Sequence, residues 1–208
     1  MTSPKGALPI ASNNAMTARP RLVLASASPR RRELLVQIGI TPDKITAAQI
    51  GEQPRPKELP RIYALRIARA KAEAVARQEA DTLVLAADTV VAMGRRILPQ
   101  AKGEAEVRYC LAMLSGRRHM VFTALAVHAA EGKLRTRIAT TRVAFKTLSE
   151  AEIESYVASG EGQGKAGGYA IQGRAGGFVR ALNGSYTNVV GLPLFETIAL
   201  LKSCGYPC

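Results

Sequence analysis

The sequence predicts an α/β fold in which helices flank a mixed β-sheet. Apolar runs rich in β-branched residues, typical of buried strands, alternate along the chain with segments of helical periodicity. Two of these runs, residues 119–130 and 134–145, are joined by a Glu-Gly-Lys connection typical of a hairpin, which argues against a purely parallel sheet. With 208 residues, 47% of them apolar, and no internal repeat, residues 21–208 are predicted to form a single domain.

Local signals predict the individual elements. Ser28 and Pro29 are typical of a helix start, and Gly39 is typical of a helix end. Ser149 and Glu152 have the spacing of a capping box at the start of a later helix. Strands are predicted over residues 21–25, 82–93, 119–130 and 134–145, helices over 29–38, 61–80 and 104–114, from 149 onward and from about 193, and a proline-rich loop over 51–60.

The first twenty residues differ in composition from the rest of the chain. Residues 1–20 contain no acidic residue and are rich in Ala, Ser, Asn, Thr and Pro. They lack the continuous apolar core of a signal peptide. We expect a disordered extension here, and Met16 is an alternative start of the chain.

The net charge of +13, from 29 Lys+Arg against 16 Asp+Glu, favours anionic partners such as nucleic acid, an anionic membrane surface or phosphorylated small molecules. No apolar run reaches the roughly 18 residues of a membrane span. The absence of Trp, the 5% aromatic content and the lack of a zinc-finger or RNP pattern disfavour a nucleic-acid reader. The three cysteines form no metal or redox pattern, which indicates reduced thiols and a cytoplasmic location.

Three arginines stand at a predicted helix start, where the helix dipole disfavours cations. They are Arg30, Arg31 and Arg32, and they follow a strand and a turn that contains Ser26 and Ser28. A strand, a serine turn and a helix N-terminus together form an anion site, and bound phosphate would remove the repulsion. Helical spacing places Arg31 on the core-facing side of its helix. The alternative is a solvated basic patch on a surface helix.

Lys71 lies on the apolar face of the predicted helix 61–80, in projection beside Ala64, Ile67 and Val75. A lysine in such a position either snorkels to solvent or meets an anion. The second reading makes it another cation directed at the same phosphates.

Asp88 interrupts the apolar strand 82–93. A buried carboxylate must be paired, protonated or metal-bound, because an isolated buried charge costs several kcal/mol. Asp88 is therefore the partner of a core arginine, a general base or a Mg²⁺ ligand, with Glu33 as the candidate second ligand.

Six glycines in residues 164–179 allow the backbone to approach a ligand closely. Lys165 adds a cation to this segment, and we expect it to contact phosphate. Read as a strand, the segment alternates Ala170, Gln172 and Arg174 with its apolar neighbours. Gln172 offers both a donor and an acceptor, as reading a nucleobase edge requires, or it is an exposed polar residue in a flexible hairpin.

Taken together, these segments resemble the Maf family of nucleotide pyrophosphatases. The resemblance covers nearly all of the chain beyond residue 21, and its segments stand in the family's order. They are LASASPRRRELL (24–35), ARAKAEAVA (68–76), AADTVV (86–91), LSGRRHMVFTALAV (114–127), GKAGGYAIQGRAGGFV (164–179) and GSYTNVVGLPL (184–194).

The resemblance implies hydrolysis of a nucleoside triphosphate between its α and β phosphates, giving a monophosphate and pyrophosphate. It implies a divalent metal (Mg²⁺ or Mn²⁺), a cytoplasmic location and a homodimer. The implied fold is an elongated, twisted mixed sheet with a central cleft between two lobes, similar to the inosine triphosphate pyrophosphatases.

The resemblance also implies roles for single residues. Asp88 corresponds to the family's proposed proton acceptor, and Arg30, Thr89 and Gln172 match the branch that acts on dTTP and UTP. A sister branch that acts on 7-methyl-GTP differs in the segment that contains Gln172. The residues expected to bind phosphate are Ser26, Ser28, Arg31, Lys71 and Lys165, and those expected to bind metal are Glu33 and Asp88.

One position departs from the family pattern. Gln100 stands where a lysine beside a proline is usual, and Lys102 follows two residues later. A phosphate-binding role of that lysine is then either taken over by Lys102 or lost. Other readings are a Maf-type enzyme with a different nucleotide preference, such as modified pyrimidine triphosphates, a basic nucleic-acid-binding protein, or a cell-division regulator with little catalysis.

Overall fold

A computed structural model describes residues 19–208; most of the predicted N-terminal extension, residues 1–18, lies outside the described residues. The strands are β1 (Arg21–Ala25), β2 (Lys44–Ile45), β3 (Thr82–Met93), β4 (Arg96–Ile97), β5 (Arg118–His128), β6 (Leu134–Phe145) and β7 (Val179–Asn183). The helices are α1 (Pro29–Gln37), α2 (Pro60–Ala76), α3 (Glu104–Leu114), α4 (Glu150–Ala158), α5 (Tyr186–Val190) and α6 (Leu194–Ser203), with a 3₁₀ helix at Arg174–Phe178.

The seven strands form one mixed sheet in the order β2-β1-β3-β5-β6-β7, and β4 pairs with the end of β3. β1 runs parallel to β2 and to β3, whereas the pairs β3–β5, β5–β6 and β6–β7 are antiparallel. The predicted mixed α/β sheet and the hairpin between β5 and β6 are therefore confirmed.

The central strand β3 is buried on both faces, which explains its nearly continuous apolar sequence. Leu83, Leu85 and Ala87 pack in a cluster with α1 and α6, while Val84 and Ala86 pack against α2 on the opposite face. A third cluster joins α3, α4 and the 3₁₀ helix to the far end of β3, β5 and β6. Helices thus hold β3 rigidly from both sides.

The strand predicted in the glycine-rich segment is wrong. Residues 167–168 and 171–173 form turns, and the 3₁₀ helix follows at once. Gly167 (φ 65°) and Gly168 (φ 67°) are in the left-handed region, and Gly173 N–H donates to Ala170 O at 3.1 Å, so the chain turns where a strand would extend. Helix α2 ends at Ala76, earlier than predicted, and the short elements β2, β4, β7 and α5 were not predicted.

Within residues 19–208, no helix is long and apolar enough to cross a membrane.

Candidate active site

A cleft of about 360 Å³ lies between the β1–α1 turn and the glycine-rich segment, and β3 passes along it. Nine of the ten residues that the sequence predicts for a site line this cleft. They are Ser26, Ser28, Arg30, Arg31, Lys71, Asp88, Thr89, Lys165 and Gln172. The parallel pairing of β1 with β3, in which Ala25 is opposite Ala86, places the serine turn next to Asp88.

The turn between β1 and α1 presents a helix N-terminus to the cleft. Ser28 is the N-cap residue, but its side chain makes no capping hydrogen bond, and Pro29 follows it. The buried Ser26 hydroxyl oxygen accepts instead from the Ser28 amide at 3.2 Å and from Arg31 Nη1 at 3.1 Å. The first turn of α1 therefore lacks a side-chain cap, as in helix termini that bind anions.

Arg31 is drawn into the protein by three uncharged acceptors. Its Nε donates to the Gly191 carbonyl at 2.9 Å, and its two terminal nitrogens donate to Ser26 and to Thr89 Oγ1 at 3.1 and 3.2 Å. Burial lowers the pKa of Arg31, and the charge of Asp88 opposes that change. The guanidinium is partly buried, and neutral oxygens accept its hydrogen bonds, so much of its attraction for an anion remains available and the solvated-patch reading does not apply to Arg31.

Lys71 and Asp88 form a buried ion pair. Lys71 Nζ lies 2.9 Å from Asp88 Oδ1 and 2.8 Å from Glu52 Oε2, and the side chains of Lys71 and Asp88 are 12% and 8% exposed. Lys71, on the apolar face of α2, therefore pairs with two carboxylates and does not snorkel to solvent. The hydrogen-bonding partner of Asp88 is this lysine, where the sequence had allowed a core arginine.

Two opposing effects act on Asp88. Burial raises the pKa of this carboxyl, and the adjacent Lys71 ammonium and then the Arg31 guanidinium oppose the rise. The negative charge of Glu52 raises the Asp88 pKa further. The Asp88 carboxylate lies at the cleft wall and is largely shielded from solvent.

The Thr89 hydroxyl is part of a hydrogen-bond chain. Thr123 Oγ1 donates to the Asn188 carbonyl at 2.9 Å, so the 3.0 Å contact between Thr89 and Thr123 has Thr89 as the donor. Thr89 Oγ1 in turn accepts from Arg31. Because the Thr89 hydroxyl donates its proton to Thr123, it can only accept a hydrogen bond from a ligand.

The opposite wall of the cleft comes from the glycine-rich segment. Lys165 is partly buried, and desolvation together with the nearby charge of Arg30 lowers its pKa. Gln172 is exposed at the rim. Gln100 Nε2 donates to the Gly164 carbonyl at 3.0 Å, and Gln100 pairs with Ala166 in an isolated β-bridge.

Residues 21–204 match the model of the Maf-like protein family. The chain belongs to the Maf family. The dTTP/UTP pyrophosphatase of Caulobacter vibrioides is 58% identical to it over 191 residues, which cover 92% of this chain and 99% of the relative. That of Sphingopyxis alaskensis is 61% identical over 188 residues, covering 90% and 98%.

Among solved structures, the Ham1 protein of Staphylococcus aureus superposes on this Maf protein with a TM-score of 0.51. Sequence identity is 14%, and the match covers 88% of this chain and 98% of Ham1. This likeness concerns the fold alone, and it agrees with the mixed sheet and cleft described above.

Glu33 is the predicted site residue that the structure leaves outside the cleft. It lies with Val36 and Ile45 in a neighbouring depression of about 610 Å³. Arg31 faces the cleft, and two residues further along α1 a side chain points roughly 200° away. Glu33 therefore does not lie on the wall that carries Asp88.

Glu52 is the carboxylate that sequence reasoning missed. It lies in the loop before α2, lines the cleft and contacts Lys71. A loop residue belongs to no periodic pattern, so Glu52 gave no signal of its own. The signal was Lys71, because a lysine on an apolar helix face needs an anionic partner, and the preceding loop contains an acid.

Of the two residues considered for the missing lysine, Gln100 lines the cleft, whereas Lys102 is exposed and does not line it.

Two carboxylates in the cleft can supply oxygen ligands to a divalent metal. Asp88 and Glu52 both line the cleft and both contact Lys71. Over the described range, 19–208, no three or more His, Cys, Asp or Glu side chains are grouped so as to hold a metal. Mg²⁺ is typically bound through one or two carboxylates together with substrate phosphates. The residues therefore fit a metal that binds together with a phosphorylated substrate.

Proposed function

We propose that this Maf protein hydrolyses dTTP and UTP between the α and β phosphates, releasing the monophosphate and pyrophosphate. The observation that carries the proposal is the meeting of two partly buried cations, Arg31 and Lys71, with the buried Asp88 in one cleft at a helix start. The names of relatives at 58% and 61% identity over nearly their whole length support the substrate class.

Binding of the triphosphate is assigned to the β1–α1 turn and the cations around it. The amides of the first turn of α1, Arg31 and Lys165 surround the same space, and each favours phosphate oxygens. Arg30 lies beside them and is partly buried. Because Arg31 is held in place before substrate arrives, little conformational entropy is lost when it binds phosphate.

Asp88 is assigned as the proton acceptor. As an attacking water forms its bond to phosphorus, Asp88 accepts a proton from it and the bond between the α and β phosphates breaks. Lys71 orients the carboxylate through their hydrogen bond. Phosphoryl transfer depends chiefly on positioning and on charge stabilisation, which buried cations supply.

Asp88 and Glu52 would hold Mg²⁺ or Mn²⁺. When bound, the ion offsets the negative charge of the phosphate oxygens. Lys71 contacts both carboxylates, so its positive charge also reduces their repulsion of an anionic substrate.

Preference for the base is assigned to Gln172, with Arg30 and Thr89 assisting. Uracil and thymine share the O4/N3 edge, to which an amide can both donate and accept. Cytosine has the reversed pattern, and a rotated amide would match it, so Gln172 alone does not discriminate. The Thr89 proton is committed to Thr123, so Thr89 contributes through its lone pair and through its contact with Arg31.

The test is incubation of the pure protein with UTP, dTTP, CTP, dCTP, ATP and GTP in Mg²⁺ or Mn²⁺, with pyrophosphate measured. Pyrophosphate from UTP and dTTP, abolished by EDTA, supports the proposal. Salt-sensitive retention of DNA or RNA without hydrolysis contradicts it and favours a nucleic-acid-binding protein. Hydrolysis of other nucleotides alone corrects the substrate, and no hydrolysis at all contradicts the enzymatic role.

The cytoplasmic location and the homodimer also remain part of this proposal. The free thiols Cys110, Cys204 and Cys208 support a reducing compartment. Cell fractionation tests the location, and light scattering of the purified protein tests the dimer.

A further inference from the structure

A hydrogen-bonded pair of buried side chains joins Tyr169 of the cleft wall to His119 behind it, and the pair has no role in the proposal above. His119 of β5 is 1% exposed, and its Nε2 lies 2.8 Å from the hydroxyl oxygen of Tyr169. The two rings meet edge to face with centroids 5.5 Å apart. Phe145 packs edge to face against both rings, at 5.0 Å from each. The pair is thus fixed inside an aromatic cluster.

A histidine at this place costs folding free energy. Its Nδ1 is buried and has no hydrogen-bond partner within the described part of the chain. Burial lowers the pKa of His119 to about 4, so the imidazole is neutral near pH 7. A phenylalanine would fill a similar space without an unpaired nitrogen. Packing alone does not account for the imidazole, and what it adds is the hydrogen bond to Tyr169.

Tyr169 fastens the middle of the glycine-rich segment to the sheet, beyond the backbone hydrogen bonds that tie residues 164–167 to residues 99–101. It lies between Lys165 and Gln172 in sequence, and all three line the cleft. At Gly167 a Cβ atom would lie 2.7 Å from Val91 of β3, so the segment runs directly against that strand. The Ala170 amide, next to Tyr169, donates to the Tyr156 hydroxyl at 3.0 Å. Movement of the Tyr169 ring would therefore disturb the backbone between Lys165 and Gln172.

We propose that His119 is a positioning residue, which fixes the Tyr169 hydroxyl and thereby holds residues 164–173 with Lys165 and Gln172 facing the substrate. The inference rests on the proposed function, since it concerns the same cleft. His119 itself touches no substrate. Its effect reaches the reaction through the hydrogen bond to Tyr169 and the backbone that follows it.

The experiment compares His119→Phe, His119→Gln, Tyr169→Phe and the His119→Phe/Tyr169→Phe double variant, with His128→Phe as the matched control at the half-buried end of β5. We expect His119→Phe to remain folded and to raise KM for UTP about tenfold, with kcat lowered about threefold or less. His119→Gln, whose amide can bond the tyrosine hydroxyl, recovers most of the loss. The double variant is no worse than either single one, because both remove the same hydrogen bond.

Hydrogen exchange of the amides of residues 164–173 gives a readout that needs no activity. We expect exchange there to be about tenfold faster in His119→Phe and Tyr169→Phe, with β3 unchanged. Faster exchange in a protein that hydrolyses no nucleotide refutes the proposed function and leaves the positioning role standing. Unchanged exchange and KM in either variant, or single losses that multiply in the double variant, overturn the positioning role. If His119→Phe does not fold, Tyr169→Phe alone decides.

Discussion

The ammonium of Lys71 and the carboxylate of Asp88 lie 2.9 Å apart, with 12% and 8% of their side chains exposed. Each residue is anomalous by itself, a cation on the apolar face of α2 and an acid in the most buried strand of the sheet. Helix α2 packs on the face of β3 that carries Asp88 and brings Lys71 next to this carboxylate, so each charge compensates the other. An anionic substrate entering the cleft meets this prearranged pair.

Asp88→Asn is expected to lower kcat for UTP at least about a hundredfold, because an amide cannot accept the proton from water. The fold should persist, since the amide keeps the shape of the side chain. Steady-state kinetics and circular dichroism measure the two effects. Asp81→Asn is the control, since Asp81 is exposed at φ 52°, a conformation that Asn also adopts readily. Near-normal kcat in Asp88→Asn would remove Asp88 from the mechanism.

Lys71→Met is expected to lower the free energy of unfolding by about 3 kcal/mol, because it leaves the Asp88 charge buried without its closest partner. Adding Asp88→Asn should restore at least about 1 kcal/mol, since the double variant has no buried carboxylate without its partner, and Glu52 is exposed enough to be solvated. Urea unfolding gives both numbers. Lys133→Met, which removes the exposed ion pair with Glu131, is the control and should cost less than about 1 kcal/mol. Purely additive losses would contradict the coupling.

Stability should fall as the pH is lowered from about 6.5 to 4. The unfolded chain takes up a proton at His119 in this window, whereas burial lowers the native pKa of this residue to about 4. The unfolded state binds more protons, so the loss reaches about 3 kcal/mol at pH 4 and levels off just below that pH. Urea unfolding at several pH values should show this loss in the native protein and not in His119→Phe. His128→Phe controls for the loss of a histidine, and an unchanged pH dependence in His119→Phe would refute the assignment.

Gln100→Lys is expected to lower KM for UTP by up to about tenfold, since it adds a cation to the cleft wall that faces the phosphates. A lysine can still donate to the Gly164 carbonyl that Gln100 contacts. Gln163→Lys, in the same region but outside the cleft lining, is the control for added charge. If both substitutions change KM equally, general electrostatics and not the cleft position explain the effect.

Local signals were sufficient to predict the long elements. The strands β3, β5 and β6 and the helices α2 and α3 each contain several turns or pleats of a regular pattern, so their period shows in the sequence. β2 and β4 have two residues each, and they exist because they pair with a longer strand. Such tertiary pairing leaves no periodic trace.

The candidate site shows the same division. Lys71 and Asp88 could be singled out because a charge on an apolar surface violates the pattern around it. Glu52 lies in a loop, where a carboxylate interrupts no apolar pattern and therefore does not stand out in the sequence. Helix geometry could have excluded Glu33 once Arg31 was taken to face the ligand, because the two side chains point in nearly opposite directions. Gln172 lines the cleft on a turn, although the expectation rested on a strand.

The proposed activity depends on the partly buried guanidinium of Arg31 binding the triphosphate. Calorimetric titration with a UTP analogue that cannot be hydrolysed between the α and β phosphates, in Mg²⁺, tests it most directly. Arg31→Met should weaken binding at least about tenfold, while Arg32→Met, on the same helix but outside the cleft lining, should change the Kd by less than about twofold. Equal affinity of Arg31→Met and the unsubstituted protein would contradict the account.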